Sequence, residues 1–464
     1  MSNTSARVGV KGYDPDKLFN VSVMALVTAA WVFGLRASIM GDLGTAFGLT
    51  GEQVGGSVGL AFLAFGASIF IGSPLLDILG MGRLLALACA LHVGGILLTI
   101  FSPQLKDSVS PIILISVSQA TVGLAHGLVE AVINPLAATI YPDNKTHKLN
   151  VLHAWWPGGI AIAGVIAFFT KDLDWQMRFG LALLPAVAYG FMLIGQKFPP
   201  TERAASNVSN AEMFKEVLRP SFLILLVAMA CTASLELGPG QWIDGLLKER
   251  FGFDGILVLV YVSMLMFGFR FFAGALAHRF SPIGLMCMSC AGAGLGLLAI
   301  SFAKGPVEGV LAATLWGVGV CFMWPTMLGI TSERFPKSGA LGMGLIGGVG
   351  SMIINYGLKE IGAIYDRYTA AALPAGNTLK DVTAAAASDP AMAAMLKTAQ
   401  FAGAPWAFRW VSVVALLPLV VFGVWWMIDK KSGGYKAVKL TQADPGDFSV
   451  DAVLQTDGAA VSKA

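Results

Sequence analysis

The chain has 464 residues, of which 56% are hydrophobic and only 13% are charged. A soluble globular protein carries about 25% charged residues, so this composition excludes a chain with a mainly water-exposed surface. A soluble enzyme, a nucleic-acid-binding protein and a disordered scaffold are therefore not expected. The net charge of +3 says little, because charge in a membrane protein matters by its location rather than by its sum. We predict an all-α polytopic protein that crosses a lipid bilayer many times.

Apolar runs long enough to cross a bilayer recur along the whole sequence. A membrane-spanning helix needs about 20 mostly apolar residues. Dividing the apolar runs at their polar breaks predicts twelve spans, at residues 19–41, 54–79, 83–102, 111–140, 149–169, 176–196, 220–247, 254–276, 283–303, 307–331, 339–364 and 404–429. Pro135 and Pro325 fall in the fourth span of each half, so we expect two pseudo-symmetric six-helix halves, as in many secondary transporters.

The predicted spans divide the chain into five parts. These are an N-terminal tail (1–18), an N-terminal six-helix bundle (19–196), a linker (197–219), a C-terminal six-helix bundle (220–429) and a C-terminal tail (430–464). Lysine and arginine are more frequent in the loops and tails on the side of the two termini than on the opposite side. Because these residues concentrate in cytoplasmic segments, we expect both termini and the linker in the cytoplasm, and the protein in the cell membrane.

Ionisable side chains inside the predicted spans are the first candidates for function. They are Arg36 in span 1, Glu130 in span 4, Glu236 in span 7 and Arg270 in span 8. A charge within the bilayer is costly unless it faces a cavity or a partner, so each one is a candidate for a role in transport. We expect Arg270 either to anchor span 8 to Glu236 or to line the central cavity.

Span 4 also carries a polar stripe. Gln119, His126, Glu130 and Asn134 have helical spacing and lie along one side of an otherwise apolar helix. Such a stripe either faces a polar cavity, where it binds substrate and protons, or holds the bundle together through hydrogen bonds between helices.

Two further motifs stand near the ends of spans. In LELGPGQW (235–242), the Gly-Pro-Gly sequence predicts a bend in span 7, directly before Gln241 and Trp242. In LDILGMGR (76–83), Asp77 and Arg83 lie at the turn between spans 2 and 3. We expect them to form a gating ion pair or to lie exposed at the surface.

The sequence contains no Walker-type phosphate loop, no HExxH motif and no Ser-His-acid arrangement. Cys287 and Cys290 have the spacing of a metal-binding pair, but they lie in an apolar span without other ligands, which favours core packing. We therefore expect no enzyme activity, no metal site and no cofactor. The expected coupling species is a proton or a sodium ion.

Several of these motifs resemble one family of transporters. The twelve-span layout with the LDILGMGR turn resembles the major facilitator superfamily. GLVEAVINPLAATIYP (127–142), followed by THKLNVLHAWWPGGIAIAG (146–164), resembles spans 4 and 5 of its fucose–galactose–proton symporter branch. FMWPTMLGITSERFPKSGALGMGLIGGVG (322–350) and GAIYDRY (362–368) are similar to spans 10 and 11 of the same branch.

The resemblance implies a major facilitator fold and a monomeric transporter that takes up a monosaccharide with protons by alternating access. It implies that Glu130 couples proton and sugar, with Asn134 and Asn150 beside it. The chain departs from the branch in span 1, where Ala37 stands at the position of an aspartate, next to Arg36. We expect ionised Glu130 to pair with Arg36, and protonated Glu130 to release Arg36 and donate a hydrogen bond to a sugar hydroxyl.

Sugar binding requires amide groups and aromatic faces in the cavity. The candidates are Asn134, His126, Gln119, Asn150, Glu236, Gln241, Trp242, Trp324 and Asn355, together with Trp31. Because of Arg36 and Arg270, import of a sugar acid or another organic anion stays open as an alternative. Sodium-coupled sugar uptake, efflux of amphiphilic compounds and a non-transporting membrane sensor are further alternatives.

Overall fold

The computed structural model describes residues 12–49, 51–251, 255–386 and 389–440. Regular secondary structure in these ranges consists of helices alone. The α-helices are α1 (Pro15–Phe47), α2 (Gly51–Leu79), α3 (Met81–Phe101), α4 (Pro111–Ile140), α5 (Lys145–Phe169), α6 (Trp175–Gly180), α7 (Leu183–Leu193), α8 (Glu202–Ala205), α9 (Asn210–Val217), α10 (Pro220–Phe251), α11 (Gly255–Arg270), α12 (Ala273–Phe302), α13 (Pro306–Val320), α14 (Met323–Arg334), α15 (Gly339–Ala371), α16 (Leu379–Ala385), α17 (Pro390–Val414) and α18 (Leu416–Lys431). Short 3₁₀ turns follow α3, at Ser102–Leu105, and precede α15, at Pro336–Ser338.

The helices agree with a protein that crosses a membrane many times. Within the described residues, 11 helical stretches are long and apolar enough to span a bilayer, and a shorter apolar helix, Val260–Arg270, lies in the predicted eighth span. The predicted all-α polytopic fold class is therefore confirmed, and the count of twelve spans agrees approximately with the structure.

Several predicted spans are interrupted in the structure. The sixth, tenth and twelfth consist of two helices each, namely α6 and α7, α13 and α14, and α17 and α18. Helix α12 joins the end of span 8 to span 9 across a kink at Ser281, where φ is 66°. A residue before proline is disfavoured in the helical conformation, so Pro282 places the turn between the two spans at this point.

Close helix contacts in both halves depend on glycine. A Cβ atom at Gly123 of α4 would lie 2.1 Å from the backbone oxygen of Ala61 in α2. A Cβ atom at Gly319 of α13 would lie 2.2 Å from the backbone nitrogen of Ala293 in α12. Membrane helices associate through such close packing because lipid supplies no hydrophobic driving force between them.

The two halves meet along α2, α4 and α5 on one side and α11, α14 and α15 on the other. The first and last described segments lie at the same end of the bundle. There the hydroxyl of Tyr141, at the end of α4, donates to Asp16 at 2.9 Å, and Lys439 pairs with Asp143 at 3.1 Å. We call this end the terminal face and the opposite end the far face.

Candidate functional site

The polar stripe of α4 is buried inside the bundle. Gln119 is 0% exposed, and His126, Glu130 and Asn134 are 7%, 8% and 4% exposed. Buried polar groups in a membrane protein need partners, so the contacts of each residue indicate its role.

Glu130 is held by an amide and faces an imidazole. The Asn134 side-chain nitrogen, one turn further along α4, donates to Glu130 Oε2 at 2.7 Å. The Asn134 oxygen lies 2.8 Å from His153 Nε2 of α5, and because that oxygen only accepts, the imidazole donates from Nε2. The same nitrogen lies 3.8 Å from Glu130 Oε2. Among the residues that the structure describes, Glu130 forms no ion pair with lysine or arginine.

Arg270 connects this group to the second half of the molecule. Its Nη1 donates to the backbone oxygen of His153 at 2.6 Å, and its Nε donates to the backbone oxygen of Cys321 at 2.6 Å. Its Nη2 donates to Glu236 Oε1 at 3.0 Å, so the first of the two roles expected for Arg270, the anchoring of span 8 to Glu236, is present. Glu130, Asn134, His153, Arg270 and Glu236 therefore form one polar network that crosses between the halves, and we call it the central network.

Arg36 lies outside the central network. Its Nη1 donates to Gln119 Oε1 at 3.3 Å, and its guanidinium lies 5.6 Å and 5.5 Å from the ring centres of Phe33 and Phe62. No residue with a described side chain forms an ion pair with Arg36. The predicted Arg36–Glu130 pair is thus not formed in this structure. A helix rises about 1.5 Å per residue, so Gln119, the hydrogen-bond partner of Arg36, lies about 16 Å before Glu130 along α4.

Of the other predicted substrate contacts, Asn150 lies between the halves and Trp324 packs against a helix of its own half. Asn150 of α5 donates to the hydroxyl of Thr326 in α14 at 3.1 Å. Trp324 of α14 is half-buried, and its ring lies against Gly347 and Gly350 of α15. The side chains of Gln241, Trp242 and Asn355 lie outside the residues whose side chains are described.

The two predicted gating residues do not pair with each other. Asp77 accepts hydrogen bonds from the Thr201 hydroxyl at 2.5 Å and from Arg203 Nε at 2.9 Å, and both partners belong to the linker. Arg83 is exposed at the start of α3. The linker passes the end of α2, where its buried Arg203 is the counter-ion of Asp77. Arg83 therefore does not serve as that counter-ion.

Glu333 of α14 joins the halves at the terminal face. Its Oε1 accepts from the backbone nitrogen and the hydroxyl of Thr146 at 3.1 Å and 2.8 Å, and its Oε2 accepts from the Tyr435 hydroxyl at 2.7 Å. Burial and the adjacent Glu333 charge raise the pKa of the Tyr435 hydroxyl well above its ordinary value, so it stays protonated and donates. Lys145 adds an ion pair to Glu202 of the linker at 2.5 Å. These contacts close the terminal face.

Sequence reasoning missed His153 and Glu333. Both stand inside motifs that the sequence made prominent, since His153 follows Asn150 by three residues and Glu333 lies in TSERFP. Helical spacing from Asn150 places His153 on the same side of α5 and was the available signal. No signal in the sequence shows that Glu333 reaches Thr146 or Tyr435, because those contacts are distant along the chain.

The hydroxyl of Tyr435 provides a test of the closed terminal face. Phenylalanine at position 435 keeps the ring that lies 4.3 Å from the Arg334 guanidinium and removes only the hydrogen bond to Glu333. A hydrogen bond to a charged acceptor contributes about 1.5–3 kcal/mol. About 1.4 kcal/mol corresponds to a factor of ten in an equilibrium constant. Tyr435→Phe is therefore expected to raise the open fraction, which is the fraction of molecules whose terminal face is open, about tenfold.

The open fraction can be followed with a cysteine placed between the halves. Ala340, at the start of α15, is 2% exposed and lines a narrow crevice beside Ala138 of α4. In detergent, the rate at which a polar maleimide modifies Ala340→Cys is expected to rise about tenfold with Tyr435→Phe. Tyr356→Phe, at an exposed tyrosine of α15, serves as the matched control. Equal rates in all three proteins would show that the tail does not stabilise the closed face.

Solved structures with the same fold include transporters of different substrates. The chain is similar to the proton:xylose symporter XylE, with a TM-score of 0.68 and 11% identity, covering 88% of this chain and 95% of that one. It is similar to the fucose:proton symporter FucP of E. coli, with a TM-score of 0.62 and 15% identity, over 86% and 98% of the two chains. The human organic anion transporter MFSD10 (TETRAN) has a TM-score of 0.61 and 13% identity, over 89% and 100%.

Sequence comparison gives the family. No curated protein matches the chain in sequence. The model of the Major Facilitator Superfamily matches residues 22–356, which is most of the chain and includes every residue of the central network. The members of this family are membrane transporters of small molecules rather than enzymes. The chain belongs to the Major Facilitator Superfamily.

Proposed function

We propose that the protein imports a monosaccharide together with protons by alternating access, with Glu130 as the coupling carboxylate. The observation that supports this proposal is the placement of Glu130. It is a membrane-buried carboxylate that lies in a hydrogen-bonded network running from one half to the other. Intramembrane carboxylates of this kind mark proton and substrate pathways.

The contacts of Glu130 suit a group that gains and loses a proton during transport. Its partners are Asn134 and His153, so protonation breaks no ion pair with lysine or arginine in the described part of the chain. The neutral acid has a hydroxyl that can donate to a sugar hydroxyl. His153 also accepts from Arg270 of the second half through its backbone oxygen, so the residue that faces Glu130 takes part in a contact between the halves.

The substrate site that we propose lies between the halves beside this network. Asn134 and Asn150 offer amides, Glu236 offers a carboxylate oxygen without a hydrogen-bond partner among the described residues, and Trp324 offers an aromatic face. Gln241, Trp242 and Asn355 remain proposed contacts at this site, and Asp77 and Arg83 remain proposed gating residues. Gln119 and His126, the other predicted contacts, face α3 inside the first half, where Gln119 donates to the Thr99 hydroxyl and the His126 ring centre lies 5.0 Å from that of His92. We also propose a monomer in the cell membrane with both termini in the cytoplasm and no cofactor.

A second candidate is the import of a sugar acid or another organic anion. It is favoured by Arg36, a buried guanidinium that has Gln119 and two aromatic rings as neighbours and no acidic partner among the described side chains. A buried cation without a counter-ion is costly, and a carboxylate on the substrate would reduce that cost.

Uptake into proteoliposomes separates these functions. We expect labelled neutral hexoses or pentoses to accumulate under an inward proton gradient, and a protonophore to abolish the accumulation. A sodium gradient alone is expected to drive none. Accumulation driven by sodium but not by protons would overturn proton coupling. Uptake of hexuronates or hexonates, with no uptake of any neutral sugar under either gradient, would replace the proposal with the second candidate.

A further inference from the structure

The first half contains a second group of buried titratable side chains, which the central network does not include. His92 of α3 and Tyr189 of α7 are 0% exposed, and His126 of α4 is 7% exposed. The Tyr189 hydroxyl lies 2.9 Å from His92 Nδ1. The ring centres of His92 and His126 are 5.0 Å apart. The two imidazoles thus lie side by side in the interior of the first half.

Each imidazole retains a nitrogen without a partner. The Nε2 atoms of His92 and His126 are buried and form no hydrogen bond within the described part of the chain. A buried polar group without a hydrogen-bond partner lowers the stability of the fold by about 1–3 kcal/mol. Two such nitrogens on neighbouring rings are therefore unfavourable for stability. A leucine or phenylalanine at either position would fill the same space without this cost.

Along α4, the position of His126 lies between Gln119, toward the far face, and Glu130. Toward the far face, Gln119 donates to the Thr99 hydroxyl at 3.2 Å and accepts from Arg36. The charged and titratable groups that act on His126 from neighbouring helices are Arg36 and His92. On α4 itself, Glu130 lies one turn after His126, on the same side of the helix.

This arrangement suits the transfer of protons rather than the binding of a sugar. A neutral imidazole accepts a proton at one ring nitrogen and releases a proton from the other, so it ends the step neutral, as the other tautomer. The proton comes from water at the far face, where an O–H bond breaks, and it ends on the ionised Glu130 carboxylate as a new O–H bond. Each imidazole between them gains one N–H bond and loses another, so no co-reactant other than water is required. Two adjacent imidazoles with free nitrogens, one turn from a carboxylate, can therefore pass a proton to that carboxylate.

We propose that His92 and His126 form a proton path through the first half that delivers protons to Glu130 separately from the substrate. The inference rests on the proposed function, because it assigns the route of the coupling proton. Its consequence is that proton delivery does not compete with the sugar for the cavity between the halves. Phe65 of α2, whose ring centre lies 6.5 Å from that of His126, forms an apolar wall beside this path.

The test uses His92→Gln in proteoliposomes. His92 has its contacts inside the first half, with Tyr189 and His126, and glutamine retains hydrogen bonding to Tyr189 without relaying a proton. We expect proton-driven uptake to fall about tenfold or more, within the range for loss of a positioned proton-transfer group. His126→Gln is expected to slow proton-driven uptake in the same direction.

Two readouts separate a proton path from a structural role. Lowering the external pH by one unit raises the proton concentration tenfold, so acid is expected to restore uptake by His92→Gln by up to about tenfold. Replacing water with deuterium oxide is expected to slow His92→Gln more than the wild type, because proton delivery then limits the rate. His278→Gln, at an exposed histidine of α12, is the matched control and is expected to respond as the wild type does.

The outcomes are distinct. If the wild type shows no proton-driven uptake of any substrate, the proposed function fails. If the wild type shows such uptake and His92→Gln equals it in rate, acid response and isotope effect, the proton path is wrong and the proposed function stands. If His92→Gln is slow but neither acid nor deuterium oxide changes its rate relative to the wild type, the two histidines have a packing role and the path is also wrong.

Discussion

Glu130→Gln is expected to abolish proton-driven accumulation while leaving exchange of labelled for unlabelled substrate. Glutamine has the size of the protonated acid, and its oxygen can still accept from Asn134, but it cannot release a proton. Without proton release, a proton gradient cannot drive net transport, so accumulation is expected to fall by about 100-fold or more. Exchange at equal concentrations needs no net proton movement and is expected to fall much less.

Both quantities can be measured on the same proteoliposomes. The matched control is Glu360→Gln, which makes the same chemical change at an exposed carboxylate of α15. Exchange by the wild type is expected to vary with pH, and exchange by Glu130→Gln is expected to be constant. Accumulation at the wild-type level in Glu130→Gln would assign proton coupling to another group, and Glu236 would be the next to test because one of its oxygens has no hydrogen-bond partner among the described residues.

The sequence predicted the fold class and the residues of α4 because both follow from local composition. Long apolar runs require helices in a bilayer, and polar residues at helical spacing must share one face. The Arg270–Glu236 pair was also accessible, since opposite charges inside neighbouring spans stabilise each other. These inferences need no knowledge of how distant segments meet.

The contacts between distant segments were not accessible from the sequence. Arg83 stands near Asp77 in the sequence, whereas Arg203 is distant from it along the chain. The path of the linker brings Arg203 to Asp77, and Arg203 rather than Arg83 forms the ion pair. Arg36 was expected near Glu130 because both lie in spans, but the depth at which α1 packs against α4 places it beside Gln119. The sequence shows which charged residues lie in or near the spans. The packing of the helices determines which of these residues contact each other.

Removing the charge of either Arg270 or Glu236 is expected to destabilise the protein more than the other single changes in the central network. Arg270 is 2% exposed and donates to Glu236 and to two backbone oxygens, one in each half. Arg270→Gln leaves the Glu236 carboxylate buried without its cation. Breaking a buried pair in this way costs about 3–5 kcal/mol of unfolding free energy. Glu236→Gln leaves the arginine unpaired and is expected to cost a similar amount.

The double variant Arg270→Gln, Glu236→Gln removes both charges and is expected to be more stable than the sum of the single variants predicts. A coupling energy of about 2 kcal/mol or more is expected, measured by unfolding in mixed detergent micelles. Additive costs would show that the two charges do not interact. Transport is expected to stay low in the double variant, because the bond from Arg270 to the His153 backbone is still absent and the halves lose that connection. Recovery of both transport and stability in the double variant would instead limit Arg270 to a structural role. Transport would then proceed without the bond from Arg270 to the His153 backbone, so that bond would not be needed to connect Glu130 to the second half.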